Sequence, residues 1–360
     1  MKLLLNLCII FCAKVCFAQI DSLQTDTIKE EDFSMYENFD FADEGAKRFC
    51  TPKVFDLSPA KLIWFGYDHQ GGFDLSSDTL IDSDRTWSPG NSSFKGAGGI
   101  RAGANIPIVS RTNIVVQGGF NLWRINYSGA KNIGVNPLAN TLSQNGLTTM
   151  GLMATVFKPL NDRRFIIAQG NADLNGDYQF NNIIPLQYAR YSAAALYGIK
   201  TNDRKMIAFG ISRTYRVGEI NYIPIMLLNW THINRKWGVE MLAPARAQIR
   251  RSFSPRKLLF FGYELEGNSY RILNNTELGL RHYELRRGEL RFRFIWEQSI
   301  YKFIWLSVQA GYRYDYAFDV DQFPNDKEFF RGFFGNQPYK MENALGGTWY
   351  SFVSLNLVSP

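Results

Sequence analysis

Between residues 289 and 318 hydrophobic and polar positions alternate one for one. Leu290, Phe292, Phe294 and Trp296 take every second place, with Glu289, Arg291, Arg293 and Glu297 in the gaps. After a short turn at 301–303 the pattern resumes. Ile304, Leu306, Val308, Ala310, Tyr312, Tyr314, Tyr316 and Phe318 form one face, and Ser307, Gln309, Arg313 and Asp315 the other. A period of two with such opposed faces predicts β-strands lying between two very different environments. The apolar face finishes in tyrosines, as a strand does when it crosses lipid and ends in an aromatic belt.

The same alternation recurs along the chain. It predicts strands over 61–75, 94–109, 112–127, 148–159, 165–178, 188–200, 205–217, 223–232, 237–250, 258–272, 284–298, 304–318 and 348–358. Polar, basic hairpin turns separate some of them, for example Asn161-Asp162-Arg163-Arg164 and Asn202-Asp203-Arg204-Lys205. Longer segments at 76–93, 128–146 and 319–347 alternate with the turns, the asymmetry of short periplasmic turns and long outer loops. Thirteen segments cannot close a barrel whose two ends lie in the periplasm. The expectation is therefore an all-β, antiparallel transmembrane barrel of the outer membrane with an even number of strands, twelve to fourteen. Either a strand is missing inside 319–347 or one too many stands between 218 and 251.

The N-terminus agrees with export. Met1-Lys2 is followed by an apolar run to Cys12, and Ala18 offers a small residue at the expected cleavage point. A competing lipoprotein reading would use Cys16, but Lys14 spoils the small, apolar approach to it. The run is too short for a spanning helix, which needs about 20 residues. An exported chain without such a helix crosses a membrane only as a closed barrel. The domain reading is a signal peptide over 1–18, an acidic, aromatic periplasmic segment over 19–58, and the barrel over 59–360.

Composition changes the picture in two places. Three of the four cysteines fall in the signal, so the exported chain keeps Cys50 and no internal disulfide. The formal charge of +7 comes from arginines spread through strands and turns, without a basic patch or recognition motif, which argues against nucleic acid.

Candidate chemistry is sparse. His69, His232 and His282 are the histidines. Asp68 beside His69 points to the opposite face of a strand. Asp82-Ser83-Asp84 has no matching Asp-x-His, so no catalytic residue is assigned and the chain is read as non-enzymatic. Without a His/Cys cluster no metal or other cofactor is expected. Charge of both signs crowds the inward register of the C-terminal half: Glu240, Arg246, Arg250, Glu264, Glu266, Glu289, Arg291, Arg293, Glu297, Arg313 and Asp315. Neighbouring strands are about 4.8 Å apart, so these side chains can pair across the wall and fill the lumen.

Two segments suggest contact surfaces. Phe33, Met35, Tyr36, Phe39 and Phe41 interrupt the acidic leader, as a binding segment or a plug would; a disordered leader is the plainer alternative. Phe329, Phe330, Phe333 and Phe334 crowd one outer loop.

The run "LLNWTHINRKWGVEMLAPARAQIRRSFSPRKLLFFGYELEGNSYRI" over 227–272, with "LRRGELRFRFIWEQSIYKFIWLSVQAGYRYDYAF" over 285–318 and "NPLANTL" over 136–142, resembles an uncharacterised family of outer-membrane barrels from Bacteroidetes-type Gram-negative bacteria. The resemblance covers most of the chain after about residue 110. It implies a barrel of unknown function and brings no catalytic residues. Two functions follow as expectations. The first is an accessory or structural subunit with a largely filled lumen, held in outer-membrane lipid and anchoring a periplasmic or outer-membrane protein partner in an assembly or secretion complex. The alternative is a passive or selective channel for small solutes.

Overall fold

A computed structural model describes residues 49–81, 86–132, 137–180, 186–215, 221–273, 283–322 and 339–359. The strands are β1 (Lys61–Gln70), β2 (Phe73–Ser77), β3 (Leu80–Ile81), β4 (Thr86–Trp87), β5 (Gly90–Phe94), β6 (Gly96–Arg111), β7 (Ile114–Ser128), β8 (Leu147–Pro159), β9 (Arg164–Gly176) and β10 (Ala189–Asn202). They continue as β11 (Lys205–Thr214), β12 (Asn221–Thr231), β13 (Trp237–Ala243), β14 (Arg246–Ser254), β15 (Lys257–Ile272), β16 (Tyr283–Tyr301), β17 (Ile304–Gln322), β18 (Asn343–Leu345) and β19 (Thr348–Val358). Fourteen of them close a barrel: β1, then β6 to β17, then β19, which pairs antiparallel with β1.

Its outer wall is apolar. Phe65, Phe209, Phe261, Phe292 and Phe294 project outward, Phe294 with 57% of its surface exposed. Tyr67, Tyr191, Tyr312, Tyr314, Tyr316 and Trp349 ring the end opposite the short turns. A closed barrel has no edge strand and satisfies its backbone internally, as a bilayer demands. The protein is an outer-membrane β-barrel.

The missing barrel strand lies within 218–251, where the sequence reading suspected a surplus strand and not a deficit. The segment 237–250 is two strands, β13 and β14, joined through Pro244 and Ala245. Leu242 pairs with Arg246 and Glu240 with Gln248, so directly opposed residues have the same parity. Even-numbered side chains therefore stay on the inner face through the turn, and the alternation shows no break.

A second correction concerns Phe318. The pairing steps from Gly288 with Ala317 to Glu289 with Asp315, a bulge at Tyr316. One extra residue inverts the faces beyond it, so Phe318 points inward and is 1% exposed.

The described parts of the long outer segments carry elements of their own. A helix, Pro137–Asn145, forms inside the segment read as a loop. Beside it β18, β2 and β5 make a small sheet, and β3 pairs with β4. Leu138, Ala139 and Leu142 of the helix pack with Phe73, Leu75, Phe94, Tyr127, Ile272, Leu285, Phe318 and Val320 in one apolar cluster inside the outer mouth. The shortest barrel strands shape the other side. Beyond the β13–β14 hairpin the end of β15 reaches across, and Arg271 meets Gly176 of β9.

Candidate functional site

Below the apolar cap lies a charged layer. Asp68, fully buried, accepts from Arg291 Nη1 at 2.9 Å and is ion-paired with Arg101, whose Nε lies 3.0 Å away. Arg291 Nε lies 2.9 Å from Glu289 and 3.0 Å from Glu266, and Arg101 Nη2 is 2.7 Å from Glu266. Arg287 pairs with Glu289. Arg313 holds Asp315 at 3.0 Å and donates to Gln70 at 2.7 Å and to the Gly346 carbonyl at 2.9 Å. Trp123 stacks beneath the Arg101 guanidinium at 3.9 Å, and Tyr350 faces Arg291 at 4.7 Å. Buried cations flanked by carboxylates from several strands in this way tie together β1, β6, β15, β16 and β17.

The charged residues named from sequence thus fall into several groups. Glu266, Glu289, Arg291, Arg313 and Asp315 belong to this layer. Arg293 pairs with Glu264 lower down, Glu297 takes Lys61 at 2.6 Å, and Arg250 binds Glu240 at 2.7 Å. Arg246 stands opposite Glu264 and lines open lumen. Asp68 and Arg101 were missed as members of the layer. Their signal was present, since each sits at an inward position of an alternating strand, but nothing in one strand says which distant strand will face it. Asp68 and His69 do point oppositely, Asp68 into the lumen and His69 outward.

The periplasmic mouth is crossed by residues 49–60. Cys50 N donates to the Asn161 carbonyl at 2.9 Å and Phe55 N to that of Asp203 at 2.8 Å, both in hairpin turns. Thr231 Oγ1 donates to the Phe55 carbonyl at 2.7 Å. Ser58 gives its N–H and hydroxyl to the two Glu240 oxygens at 3.1 and 2.8 Å. Cys50 and Val54 insert among Phe157, Phe165, Leu196, Met206, Ala208 and Ile225. The chain therefore forms a strap over the lumen before it enters β1.

Burial pushes the Cys50 thiol above its ordinary value, outweighing the opposing pull of the Lys200 ammonium. The folded chain holds this proton more tightly than the unfolded one. Strap docking is thus fully supported below the ordinary thiol pKa and weakens as pH rises through it toward the raised value. Maleimide labelling of Cys50, in a chain with Cys8, Cys12 and Cys16 replaced by serine, is expected to be slow at pH 7.5. Val54→Asp should speed it by about tenfold, equivalent to ~1.4 kcal/mol of lost docking. Equal, fast rates in both proteins would place the strap off the barrel.

Between charged layer and strap the lumen is hollow. A cavity of about 200 Å³ lies between Trp64, Asn121, Asn171, Asp173 and Asn268. One of about 370 Å³ lies toward β9–β13, beside Ser192, Ile223 and Leu242. One of about 470 Å³ lies above Ser58, Pro59 and Ala60. Glu264 borders all three. The expected filling by paired charge is thus confined to layers, because the arginines gather onto acids at the same height, some on neighbouring strands and some across the lumen.

Phe33, Met35, Tyr36, Phe39, Phe41, Phe329, Phe330, Phe333 and Phe334 lie outside the described residues, as do Asp82, Ser83, Asp84 and His282.

No family model matches the chain, and no curated protein matches it. Among solved structures it is similar to an outer-membrane channel from Pseudomonas putida F1, at 12% identity, 86% of this chain, 99% of that chain and a TM-score of 0.36. The toluene transporter TodX of Pseudomonas putida matches at 10% identity over 86% of this chain and 95% of that one, with a TM-score of 0.32. A FadL homologue from Pseudomonas aeruginosa matches at 11% identity over 87% and 100%, with a TM-score of 0.30. These are likenesses of barrel architecture, and no solute of those proteins transfers to this chain through them.

Proposed function

We propose that the protein is an outer-membrane channel for small solutes, shut at both ends in this conformation. The observation that carries the reading is the chain of cavities meeting at Glu264 between the charged layer and the strap. A barrel that served only as an anchor would gain stability by close packing, since protein interiors fill to a density of about 0.75 and leave few voids larger than a water molecule. The two larger cavities fall instead within the range of about 300–1,000 Å³ usual for ligand sites.

The closures differ in kind. The outer one is an apolar cluster on a helix and a small sheet, and the periplasmic one is a short strap held by turn carbonyls and Glu240. Both are local segments laid over the barrel ends and outside the ladder that closes the wall, so each can open without breaking barrel strand pairing.

Planar-bilayer recordings test the reading. The unmodified protein is expected to show no steady, porin-sized conductance. A variant lacking residues 49–58, with the helix Pro137–Asn145 replaced by a short glycine-serine linker, should conduct and should admit small solutes into proteoliposomes. If that variant inserts and stays silent, the lumen is filler and the accessory role replaces the channel.

A further inference from the structure

Trp64, Gly103, Asn121, Gly151 and Asp173 are directly opposed, one to the next, across β1, β6, β7, β8 and β9. They form a single row around the inner wall. Both glycines in the row are needed by their neighbours. A Cβ on Gly103 would stand 2.6–2.7 Å from Cε2, Nε1 and Cζ2 of Trp64 at once. Equal approach to three adjacent ring atoms at that distance means that the indole lies face-down on Gly103. Its other face is left to the lumen, where Trp64 borders two of the cavities. Phe352 steadies the ring edge-on, with centroids 6.3 Å apart and planes at 85°. Over Gly151 the Asn121 amide reaches the Asp173 carboxylate, Nδ2 to Oδ1 at 3.3 Å, and a Cβ there would collide with both side chains.

We propose that this row is a binding site for a neutral, ring-shaped, polyhydroxylated solute, a mono- or disaccharide, with Trp64 as its stacking platform. Such a molecule has apolar C–H faces, which fit an open indole face, and a rim of hydroxyls that both donate and accept. The groups around the platform match that rim. Asn121, Asn171 and Asn268 each carry donors and an acceptor. Asn171 is held by Ser192 at 3.0 Å and Asn268 by Thr149 at 3.3 Å, so the amides are oriented before a solute arrives.

The bordering charges are arranged against an anion. Arg101 is occupied by Asp68 and Glu266, and Glu264 by Arg293. An anion would meet Asp173, Glu264 and Glu266, whereas the Asp173 oxygens can accept from the hydroxyls of a neutral sugar. A purely apolar solute would cover the amides without pairing them.

The inference deepens the channel reading and rests on it for the solute's way in. Its test is therefore separate from conductance. The full chain and its Val54→Asp variant, in a detergent without a sugar headgroup, are titrated by calorimetry with maltose, sucrose, glucose 6-phosphate, choline and toluene. Saturable binding of a neutral sugar is expected in at least the Val54→Asp protein. Trp64→Ala should weaken it at least tenfold, Trp64→Tyr should retain most of it, and Asn268→Leu should weaken it while leaving the barrel heat-modifiable on gels. Tighter binding of toluene, choline or glucose 6-phosphate than of either sugar overturns the site, as does an unchanged affinity in Trp64→Ala. If the doubly opened variant conducts but no sugar binds to any form, the channel stands and the sugar site falls. If sugar binds and that variant never conducts, the site stands and the channel reading falls.

Discussion

Arg291→Leu is expected to destabilise the barrel by at least ~3–5 kcal/mol, the usual cost of leaving a buried ionic partner uncompensated. The side chain is 1% exposed and touches Asp68, Glu266 and Glu289 at 2.9, 3.0 and 2.9 Å. Removing it leaves Asp68 to Arg101 and Glu289 to Arg287, with three carboxylates crowded beneath the apolar cap. Arg291→Lys should recover only part of the loss, because an ammonium on one stem cannot bridge three acids with a planar fork. Combining Arg291→Leu with Asp68→Asn should be less damaging than the sum of the two changes, since each removes what the other leaves unpaired. Urea unfolding of the protein folded into lipid vesicles, followed by tryptophan fluorescence, measures these differences. A loss below about 1 kcal/mol for Arg291→Leu would mean that the layer does not hold the barrel together.

Phe294→Arg is the second large effect, and it acts on the opposite face of the same strand. Phe294 is 57% exposed on the outer wall and packs its ring against Phe261, with centroids 4.7 Å apart. An arginine there must place its charge in hydrocarbon or bend toward the headgroups, at about 2–4 kcal/mol near the midplane. Tyr301 marks the periplasmic end of β16 and Tyr283 the outer end, which puts Phe294 within the crossing segment. The same vesicle unfolding measures it. Arginine tolerated at both 292 and 294, with leucine accepted at 293 without loss, would invert the two faces of the wall.

Both effects are legible from the alternation of β16 and β17, where one face can only be lipid and the other only lumen. The same rule failed at two points, and for one reason. Side-chain parity counts residues, not turns. The β13–β14 turn preserves parity and hid a strand, and the Tyr316 bulge shifts parity and hid the inward position of Phe318.

The site was less legible than the wall. Charges of the inward register could be named one strand at a time, yet Asp68 finds Arg291 across 223 positions of chain and Glu266 finds Arg101 across the lumen. Trp64 and Gly103 carried no signal in sequence that they would become a platform and its bed. The strap could be suspected only as an acidic, aromatic leader, and its described part turns out to hold the mouth by backbone hydrogen bonds to hairpin turns.

By itself, then, the sequence determined the environment: a period of two with opposed faces and tyrosine ends leaves a closed barrel in the outer membrane. That follows because each strand meets lipid and lumen directly, so its composition records both. Tertiary structure alone decided that the lumen is sealed in layers and hollow between them. Closure of the barrel fixes which inward side chains face each other across it, and neither local propensity nor alternation contains that distance.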